Sequence, residues 1–276
     1  MIKIALFGIH KFLSETLFAL ESQDLFPQIV ILPTVDSIYH TMAEEFCIKH
    51  KIAFARPHSV NDPEFITFLK RTSVNRIIVT GYNEIFSNEL LSVGTMGAVN
   101  CHGGLLPEER GPVPYKWAIY DGRKDTGVTY HQMTEKLDQG KFFVKNRIPI
   151  CETDTNQDLF EKVCIDASKT IPIFFNKLNL DELVIEEDGS AIEIGKYKGQ
   201  IPERLTHFDL SLPVDELSRR VRAFSPRPGV FLTENNGRRL LITSVSTDLG
   251  LINSIDMVFQ VQDGQIAITG FEVINN

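Results

Sequence analysis

The first half of the chain alternates short apolar runs rich in β-branched residues with segments that have the apolar spacing of amphipathic helices. This alternation predicts an α/β fold, with a Rossmann-like, mostly parallel sheet and helices on both faces. The predicted strands are Lys3–Phe7, Gln28–Leu32, Ala53–Arg56, Arg76–Thr80 and Ala98–Cys101. The predicted helices are Lys11–Glu21, Ser37–His50, Asp62–Arg71 and Ser87–Val93. Gly8 lacks the three-glycine spacing of dinucleotide-binding folds, so we interpret it as a strand-to-helix turn.

The second half predicts a smaller domain after a charged, glycine-containing connection. Before that connection we expect helices at Pro114–Tyr120 and Asn156–Asn176, and strands at Gly127–Gln132 and Phe142–Ile150. After it we expect the helix Val214–Phe224 and the strands Val230–Glu234, Arg239–Thr247, Ile255–Gln262 and Ile266–Val273. One helix with several turn-separated strands favours a small barrel-like sheet. The expected division is a catalytic domain at 1–180, a linker at 181–204 and a small domain at 205–276.

Composition narrows the classes of function. The chain has 276 residues, a net charge of −8 and no apolar run near the roughly 18 to 20 residues of a membrane span. The acidic balance, without a cluster of Lys and Arg, argues against a large nucleic-acid surface. The four cysteines form no CxxC pair, which argues against a zinc site or a disulfide framework. With no pattern of a secretory signal at its start, the chain is expected to be cytoplasmic.

Asn100 and His102 stand two residues apart at the end of a predicted strand. Because side chains alternate along an extended chain, the two share one face. In an open α/β sheet, ligands bind outside the carboxyl ends of the strands, where both residues fall. An amide can donate to the oxyanion of a tetrahedral intermediate and an imidazole can move a proton, so the pair suits acyl transfer. No serine or cysteine has an evident base partner, and direct attack by the substrate is therefore preferred.

Asp138 precedes a glycine-containing turn, in a loop that could bring its carboxylate to His102. From the residues alone, each member of this set also has a structural interpretation. Asn100 and His102 suit a buried hydrogen-bonding pair, and Asp138 suits a turn. His131, on a predicted strand, is interpreted as structural or as a wall of the site. Cys101 points away from its two neighbours and is interpreted as a buried, inert thiol.

The segment 100–140 carries a long and ordered family resemblance. It reads NCHGGLLPEERGPVPYKWAIYDGRKDTGVTYHQMTEKLDQG. It resembles the formyltransferases that use 10-formyltetrahydrofolate, which include methionyl-tRNA formyltransferases, glycinamide ribonucleotide transformylases and sugar-nucleotide N-formyltransferases. The shared pattern is Asn-x-His, a Ser-Leu-Leu-Pro loop, Arg-Gly, Thr-Gly-Val-Thr, and an Asp before x-Gly. Gly104 replaces the usual Ser, which affects a hydroxyl contact and leaves the catalytic residues unchanged.

The resemblance implies a catalytic trio of Asn100, His102 and Asp138. It also implies that 10-formyltetrahydrofolate is the donor, with no metal. The cofactor-binding residues that it implies are Gly81, Tyr82, Ile85, Phe86, Leu105, Leu106, Pro107, Met133 and Leu137. In addition, Phe208–Ser211 and Arg222–Gly229 resemble the start of the carboxy-terminal domain of methionyl-tRNA formyltransferases. The small domain is therefore expected to be OB-like.

The sequence indicates the amine that accepts the formyl group less directly than it indicates the donor. Methionyl-tRNA formyltransferases resemble one another in a basic, glycine-containing insertion after the second strand, whereas Val30–Ile38 reads VILPTVDSI here. With the acidic charge, this favours a small amine, above all a nucleotide-linked amino sugar, over tRNA. Another small amine such as an amino acid, a formyl-folate hydrolase and a non-catalytic folate-binding module are kept as alternatives. No membrane partner is expected, and a homodimer is kept open.

Overall fold

The computed structural model describes residues 2–95, 97–179, 187–188, 196–251 and 257–274. For residues 176–179, 187–188 and 251 it describes the backbone alone. The chain divides into two compact units. The first comprises Met1–Gly111, Gly127–Ile148 and Glu161–Tyr197, and the second comprises Pro112–Thr126, Pro149–Phe160 and Lys198–Asn276. The expected division into 1–180, 181–204 and 205–276 stays a prediction, since most of the 181–204 linker lies outside the described residues.

The first unit is built on a mostly parallel sheet. Its described strands are β1 (Ile4–Gly8), β2 (Ile29–Ile31), β3 (Ala53–Ala55), β4 (Arg76–Thr80), β5 (Ala98–His102), β6 (Asp125–Gln132), β7 (Lys141–Pro149) and β8 (Glu187–Asp188). They lie in the order β3-β2-β1-β4-β5-β6-β7-β8. The strands β3, β2, β1, β4 and β5 pair in parallel, and β6 then runs antiparallel to β5. The expected α/β fold is thus confirmed.

Helices connect these strands, and several of them begin with a side-chain hydrogen-bonding cap. They are α1 (His10–Glu21), α2 (Ile38–His50), α3 (Pro63–Arg71), α4 (Asn88–Leu91) and, further along, α6 (Asn156–Asn179). The Asp62 carboxylate accepts the Glu64 N–H at 2.7 Å, and Pro63 supplies a fixed first turn to α3. The Ser37 hydroxyl caps α2 by accepting the His40 N–H. These caps satisfy backbone donors that a helix start leaves without an intrahelical partner.

The core on one face of the sheet determines where the strand-end polar residues point. Alternate residues of β1, β2, β4 and β5 pack there with α3 and α4; among them are Ala5, Phe7, Ile29, Ile31, Ile66, Leu69, Ile77, Val79, Leu90 and Ala98. Because Asn100 and His102 lie two and four residues beyond Ala98, they share its face. Cys101 belongs to the opposite face, where Tyr130 of β6 stacks on Phe174 of α6 at 5.2 Å between ring centroids.

The second unit holds a separate antiparallel sheet. Its described strands β9 (Phe231–Thr233), β10 (Arg239–Ser246), β11 (Met257–Val261) and β12 (Gly264–Ile274) lie in the order β11-β12-β10-β9. This confirms the expected small β domain, although the predicted strand Ile255–Gln262 begins outside the described residues. Two helices, α5 (Pro114–Tyr120) and α7 (Val214–Phe224), pack together in this unit, with the rings of Tyr120 and Phe224 5.2 Å apart.

Candidate active site

Two neighbouring strands bring four polar side chains to one face of the sheet. In the antiparallel ladder of β5 and β6, Asn100 lies opposite His131, and His102 lies opposite Thr129. Directly opposed residues of paired strands project to the same face. That face is the one shared by Ala98, at the carboxyl end of the parallel part of the sheet. The site is therefore fixed by strand register, with Asn100 and His102 from β5 and their partners from β6.

The hydrogen bond of His102 defines its neutral tautomer. Its Nε2 lies 2.6 Å from the backbone carbonyl oxygen of Glu109. A carbonyl oxygen only accepts hydrogen bonds, so in this geometry Nε2 carries the hydrogen. In the neutral ring the lone pair is then on Nδ1, which lies 3.7 Å from the Asp138 carboxylate. The imidazole is thus oriented with a nitrogen that can accept a proton beside a negative charge.

Asp138 is held by its backbone conformation and by a hydrogen bond. Its φ is 56°, in the left-handed region that Asp tolerates better than most residues. Its Oδ2 accepts the Gly111 N–H at 2.9 Å. Its Oδ1 lies 3.7 Å from both His102 Nδ1 and His131 Nε2. The residue that sequence suggests as a turn former therefore occupies a turn and also faces two imidazoles.

His131 links Asn100 to this group. Its Nδ1 lies 2.9 Å from the Gln132 carbonyl oxygen, so Nδ1 carries the hydrogen and Nε2 is the acceptor. The Asn100 amide nitrogen donates to that Nε2 at 3.2 Å. The primary amide has a second N–H for another partner. His131, interpreted from sequence as structural or as a wall of the site, orients the amide and lies 3.7 Å from the carboxylate.

Burial keeps His131 neutral. The loss of solvation lowers the pKa of its imidazole to about 4; the nearby Asp138 carboxylate opposes this effect, and His102 adds to it. A neutral ring is required for the hydrogen bond with Asn100, because protonated Nε2 would have no lone pair to accept it. The low pKa of His131 and its hydrogen bond from Asn100 therefore both indicate a neutral imidazole.

This lowered pKa predicts a loss of stability in acid. Unfolding returns His131 to its ordinary value of 6.5, so below that pH the unfolded chain binds the extra proton. The free energy of unfolding is expected to fall by about 3 kcal/mol between pH 6.5 and pH 4 from this residue. Denaturant unfolding across this pH range measures it. The His131→Gln variant, which lacks the titrating group, should lose that part of the slope, and an unchanged slope would contradict the assignment.

The loop after His102 is held in place by hydrogen bonds from strand β6 and from loop residues. The Thr129 hydroxyl donates to the Gly104 carbonyl at 2.8 Å and accepts the Leu106 N–H at 3.1 Å. The Glu109 carboxylate accepts the Leu105 N–H at 2.6 Å. Arg110 donates to the Leu137 carbonyl at 3.0 Å. These hydrogen bonds hold the loop after His102 against strand β6 and against the turn that carries Asp138.

The residues expected to bind folate fall into three environments. Tyr82, Phe86 and Met133 adjoin one core cluster, in which the rings of Tyr82 and Phe86 lie 6.0 Å apart. Leu105, Leu106 and Pro107, in the loop after His102, are buried. Ile85 and Leu137 are exposed, by 67% and 41%, and Gly81 has a φ of 65°. The structure therefore brings three of these residues to one cluster and leaves two apolar side chains exposed.

Three polar residues of this region were not predicted from sequence: Thr129, Glu109 and Arg110. Glu109 stands beside Glu108 in a charged loop, a pattern typical of solvent-exposed residues, yet only 7% of Glu109 is exposed. Thr129 could be suspected from its place opposite His102 once the strand pairing is known. No signal in the local sequence reveals that Arg110 contacts the loop of Asp138.

Within the ranges described above, no group of three or more His, Cys, Asp or Glu side chains is arranged to hold a metal ion. The helices in those ranges include none with the length and apolar character needed to cross a membrane.

Comparison with known proteins assigns the class. The model of the formyl transferase family matches residues 3–173, and the chain therefore belongs to the formyl transferase family. Members of this family are transferases of formyl groups. The expectation drawn from the segment 100–140 is confirmed at the level of the family.

Individual relatives differ in function. The chain is 32% identical over 200 residues to a methionyl-tRNA formyltransferase of Caldanaerobacter subterraneus subsp. tengcongensis, covering 72% of this chain and 64% of that protein. It is 34% identical over 204 residues to the bifunctional polymyxin resistance protein ArnA of Wigglesworthia glossinidia brevipalpis, covering 71% of this chain and 30% of that one. The chain thus spans less than two thirds of the length of either relative.

Solved structures share the fold over most of the chain. An N-formyltransferase from Helicobacter canadensis, in complex with folinic acid and dTDP-3-aminofucose, matches with a TM-score of 0.71 and 16% identity, over 97% of this chain and 99% of that one. HypX from Aquifex aeolicus, in complex with tetrahydrofolic acid, matches with a TM-score of 0.72 and 14% identity, over 99% and 44%. At these identities the likeness concerns the fold alone.

Proposed function

We propose that this chain moves the formyl group of 10-formyltetrahydrofolate to a primary amine, with Asn100, His102 and Asp138 as its catalytic residues. One observation carries the proposal: the Asp138 carboxylate lies 3.7 Å from His102 Nδ1, at a strand end whose neighbouring amide is oriented by His131. Membership of the formyl transferase family supports the same reaction class.

The reaction begins when the lone pair of the acceptor amine attacks the formyl carbon of the donor. A C–N bond forms and the formyl oxygen becomes an oxyanion. Asn100 stabilises that oxyanion by donating an amide N–H, while its other N–H stays bonded to His131. Because the amide is oriented before the substrate arrives, little reorganisation is needed as charge develops.

In this proposal His102 accepts the proton that the amine loses, and Asp138 stabilises the charged imidazole. The attacking amine loses a proton to Nδ1 of His102, and the Asp138 carboxylate stabilises the resulting imidazolium. Collapse of the intermediate breaks the bond between the formyl carbon and N10 of the folate, and N10 takes the proton from His102 Nδ1, so that tetrahydrofolate leaves and the imidazole is again neutral. The products are the formylated amine and tetrahydrofolate, so atoms and charges balance.

The donor is proposed to lie against the loop Gly81–Ser87 and the segment Met133–Asp138. The cluster of Tyr82, Phe86 and Met133 supplies apolar surface close to these segments. The exposed Ile85 and Leu137 supply apolar side chains that a flat heterocycle can cover. The folates held by the H. canadensis and A. aeolicus proteins support this class of ligand.

The acceptor is proposed to be a nucleotide-linked amino sugar. The connection between β2 and α2 runs only from residue 32 to residue 37, and it contains Asp36 but no Lys or Arg. A short connection without a cation offers no charge to neutralise RNA phosphates. The H. canadensis protein, in complex with dTDP-3-aminofucose, aligns over nearly the whole chain. The methionyl-tRNA formyltransferase relatives, at higher identity, keep tRNA as the second candidate.

Acceptor choice is tested by ligand-induced thermal stabilisation and by turnover. We expect dTDP-3-aminofucose at 100 times its dissociation constant to stabilise the protein by about 2.7 kcal/mol, and initiator methionyl-tRNA to give no shift. With 10-formyltetrahydrofolate present, the sugar should become formylated, as followed by mass spectrometry. Stabilisation and formylation of the tRNA alone would overturn the sugar assignment. Formate released at the same rate with and without amine would instead indicate a hydrolase.

A further inference from the structure

We propose that Glu109 is a positioning residue that sets the tautomer of His102, an inference that rests on the proposed function. Its carboxylate lies among buried groups, whereas the adjacent Glu108 is exposed. A buried carboxylate is costly unless its hydrogen bonds compensate for lost hydration. The Glu109 carboxylate accepts a hydrogen bond from the backbone of its own loop.

Glu109 closes a small ring of hydrogen bonds with Leu105. The carboxylate accepts the Leu105 N–H at 2.6 Å, and the Glu109 N–H donates to the Leu105 carbonyl at 2.9 Å. Each residue thus both donates and accepts, so the two ends of the 105–109 turn are fixed to each other. The conformation of the Glu109 backbone follows from this ring.

The backbone fixed in this way contacts His102. The Glu109 carbonyl oxygen lies 2.6 Å from His102 Nε2 and requires the hydrogen there. Two residues further on, the Gly111 N–H donates to the Asp138 carboxylate at 2.9 Å. One loop therefore orients both the imidazole and the carboxylate beside it, and the Glu109 side chain holds that loop closed.

The tautomer of His102 decides whether its Nδ1 can accept a proton. With the carbonyl in place, the neutral imidazole keeps its lone pair on Nδ1, toward Asp138. If the carbonyl moved away, the hydrogen would transfer to Nδ1, where it can bond to the carboxylate. His102 would then be unable to accept a proton at the position proposed for it. Loss of Glu109 should thus lower kcat by a larger factor than it raises the KM for the folate, whose expected contacts include Leu105–Pro107, because the lost proton acceptor acts only in the chemical step.

The test compares three variants of the full chain. Glu109→Met preserves length and burial but removes the acceptor for the Leu105 N–H, whereas Glu109→Gln retains an acceptor oxygen. Glu108→Met makes the same chemical change at the exposed neighbour and serves as the matched control. Misplacing a catalytic group can cost on the order of 10²-fold, so we expect a loss of that order in kcat for Glu109→Met. Near-normal kcat is expected for Glu109→Gln and Glu108→Met.

A second measurement separates this inference from the proposed function. Nitrogen-15 NMR of the histidine rings reports which nitrogen of His102 carries hydrogen, without any turnover. We expect Nε2–H in the wild type and in Glu109→Gln, and Nδ1–H or a mixture in Glu109→Met, with circular dichroism showing that each is folded. An unchanged tautomer in folded Glu109→Met would overturn the inference. So would a Glu109→Gln variant as impaired as Glu109→Met. A tautomer change without formyl transfer by the wild type would instead overturn only the reaction.

Discussion

Replacing Asn100 by Ala is expected to slow formyl transfer 10²- to 10³-fold, the usual effect of removing one oxyanion donor. The KM for 10-formyltetrahydrofolate should change little, because the lost hydrogen bond strengthens only as charge develops on the formyl oxygen. Steady-state production of tetrahydrofolate with dTDP-3-aminofucose as acceptor measures both constants. The matched control is Asn235→Ala, which removes the same side chain from an exposed turn.

Asp138→Asn should cause a loss of comparable size for a different reason. The amide oxygen can still accept the Gly111 N–H, so the turn keeps its hydrogen bond. What disappears is the negative charge 3.7 Å from His102 Nδ1. If both Asn100→Ala and Asp138→Asn turned over at wild-type rates, these residues would not be catalytic, whatever the acceptor.

The second large effect is on folding. Gly127→Ala would place a methyl carbon 1.9 Å from the backbone oxygen of Asn146. Neither group is the end of a flexible side chain, so strands β6 and β7 must shift to accommodate it. We expect a loss of about 3 kcal/mol or more in the free energy of unfolding. Equilibrium unfolding in urea provides the measurement.

The comparison for Gly127→Ala is Gly199→Ala, where no atom lies within 4 Å of the added carbon. That variant should retain wild-type stability to within about 0.5 kcal/mol. Gly140→Ala, whose added carbon would lie 1.8 Å from the Gln132 backbone oxygen, should behave like Gly127→Ala. Wild-type stability in both Gly127→Ala and Gly140→Ala would mean that these strands do not approach as closely as described.

Much of the fold follows from local patterns. β4 at Arg76–Thr80 and α7 at Val214–Phe224 have the predicted bounds, since each is a clear run bordered by strong breakers. α4 is shorter than predicted, at Asn88–Leu91, because it has too few residues for its periodicity to define an end. β8 lies within the predicted linker, because a strand of two residues has no period-2 pattern to detect.

The site was only partly predictable. Asn100 and His102 share a face because they are two residues apart, a property of any extended strand. The approach of Asp138 depends on a turn and on the closure of a long loop; the local sequence is compatible with it, and the family resemblance implies it. The part played by His131 requires the register of β5 against β6. That of Glu109 requires a ring of hydrogen bonds within an irregular loop, which no periodicity encodes.

The most direct test of the proposed reaction follows a labelled formyl group. Purified protein is incubated with formyl-labelled 10-formyltetrahydrofolate and a panel of amines that includes dTDP-3-aminofucose, other nucleotide-linked amino sugars, amino acids and initiator methionyl-tRNA. We expect label to appear in an amide of one amine class, and this signal to be lost in His102→Ala. Label that appears only as formate, or a labelled amide that forms equally well with His102→Ala, would contradict the proposed reaction.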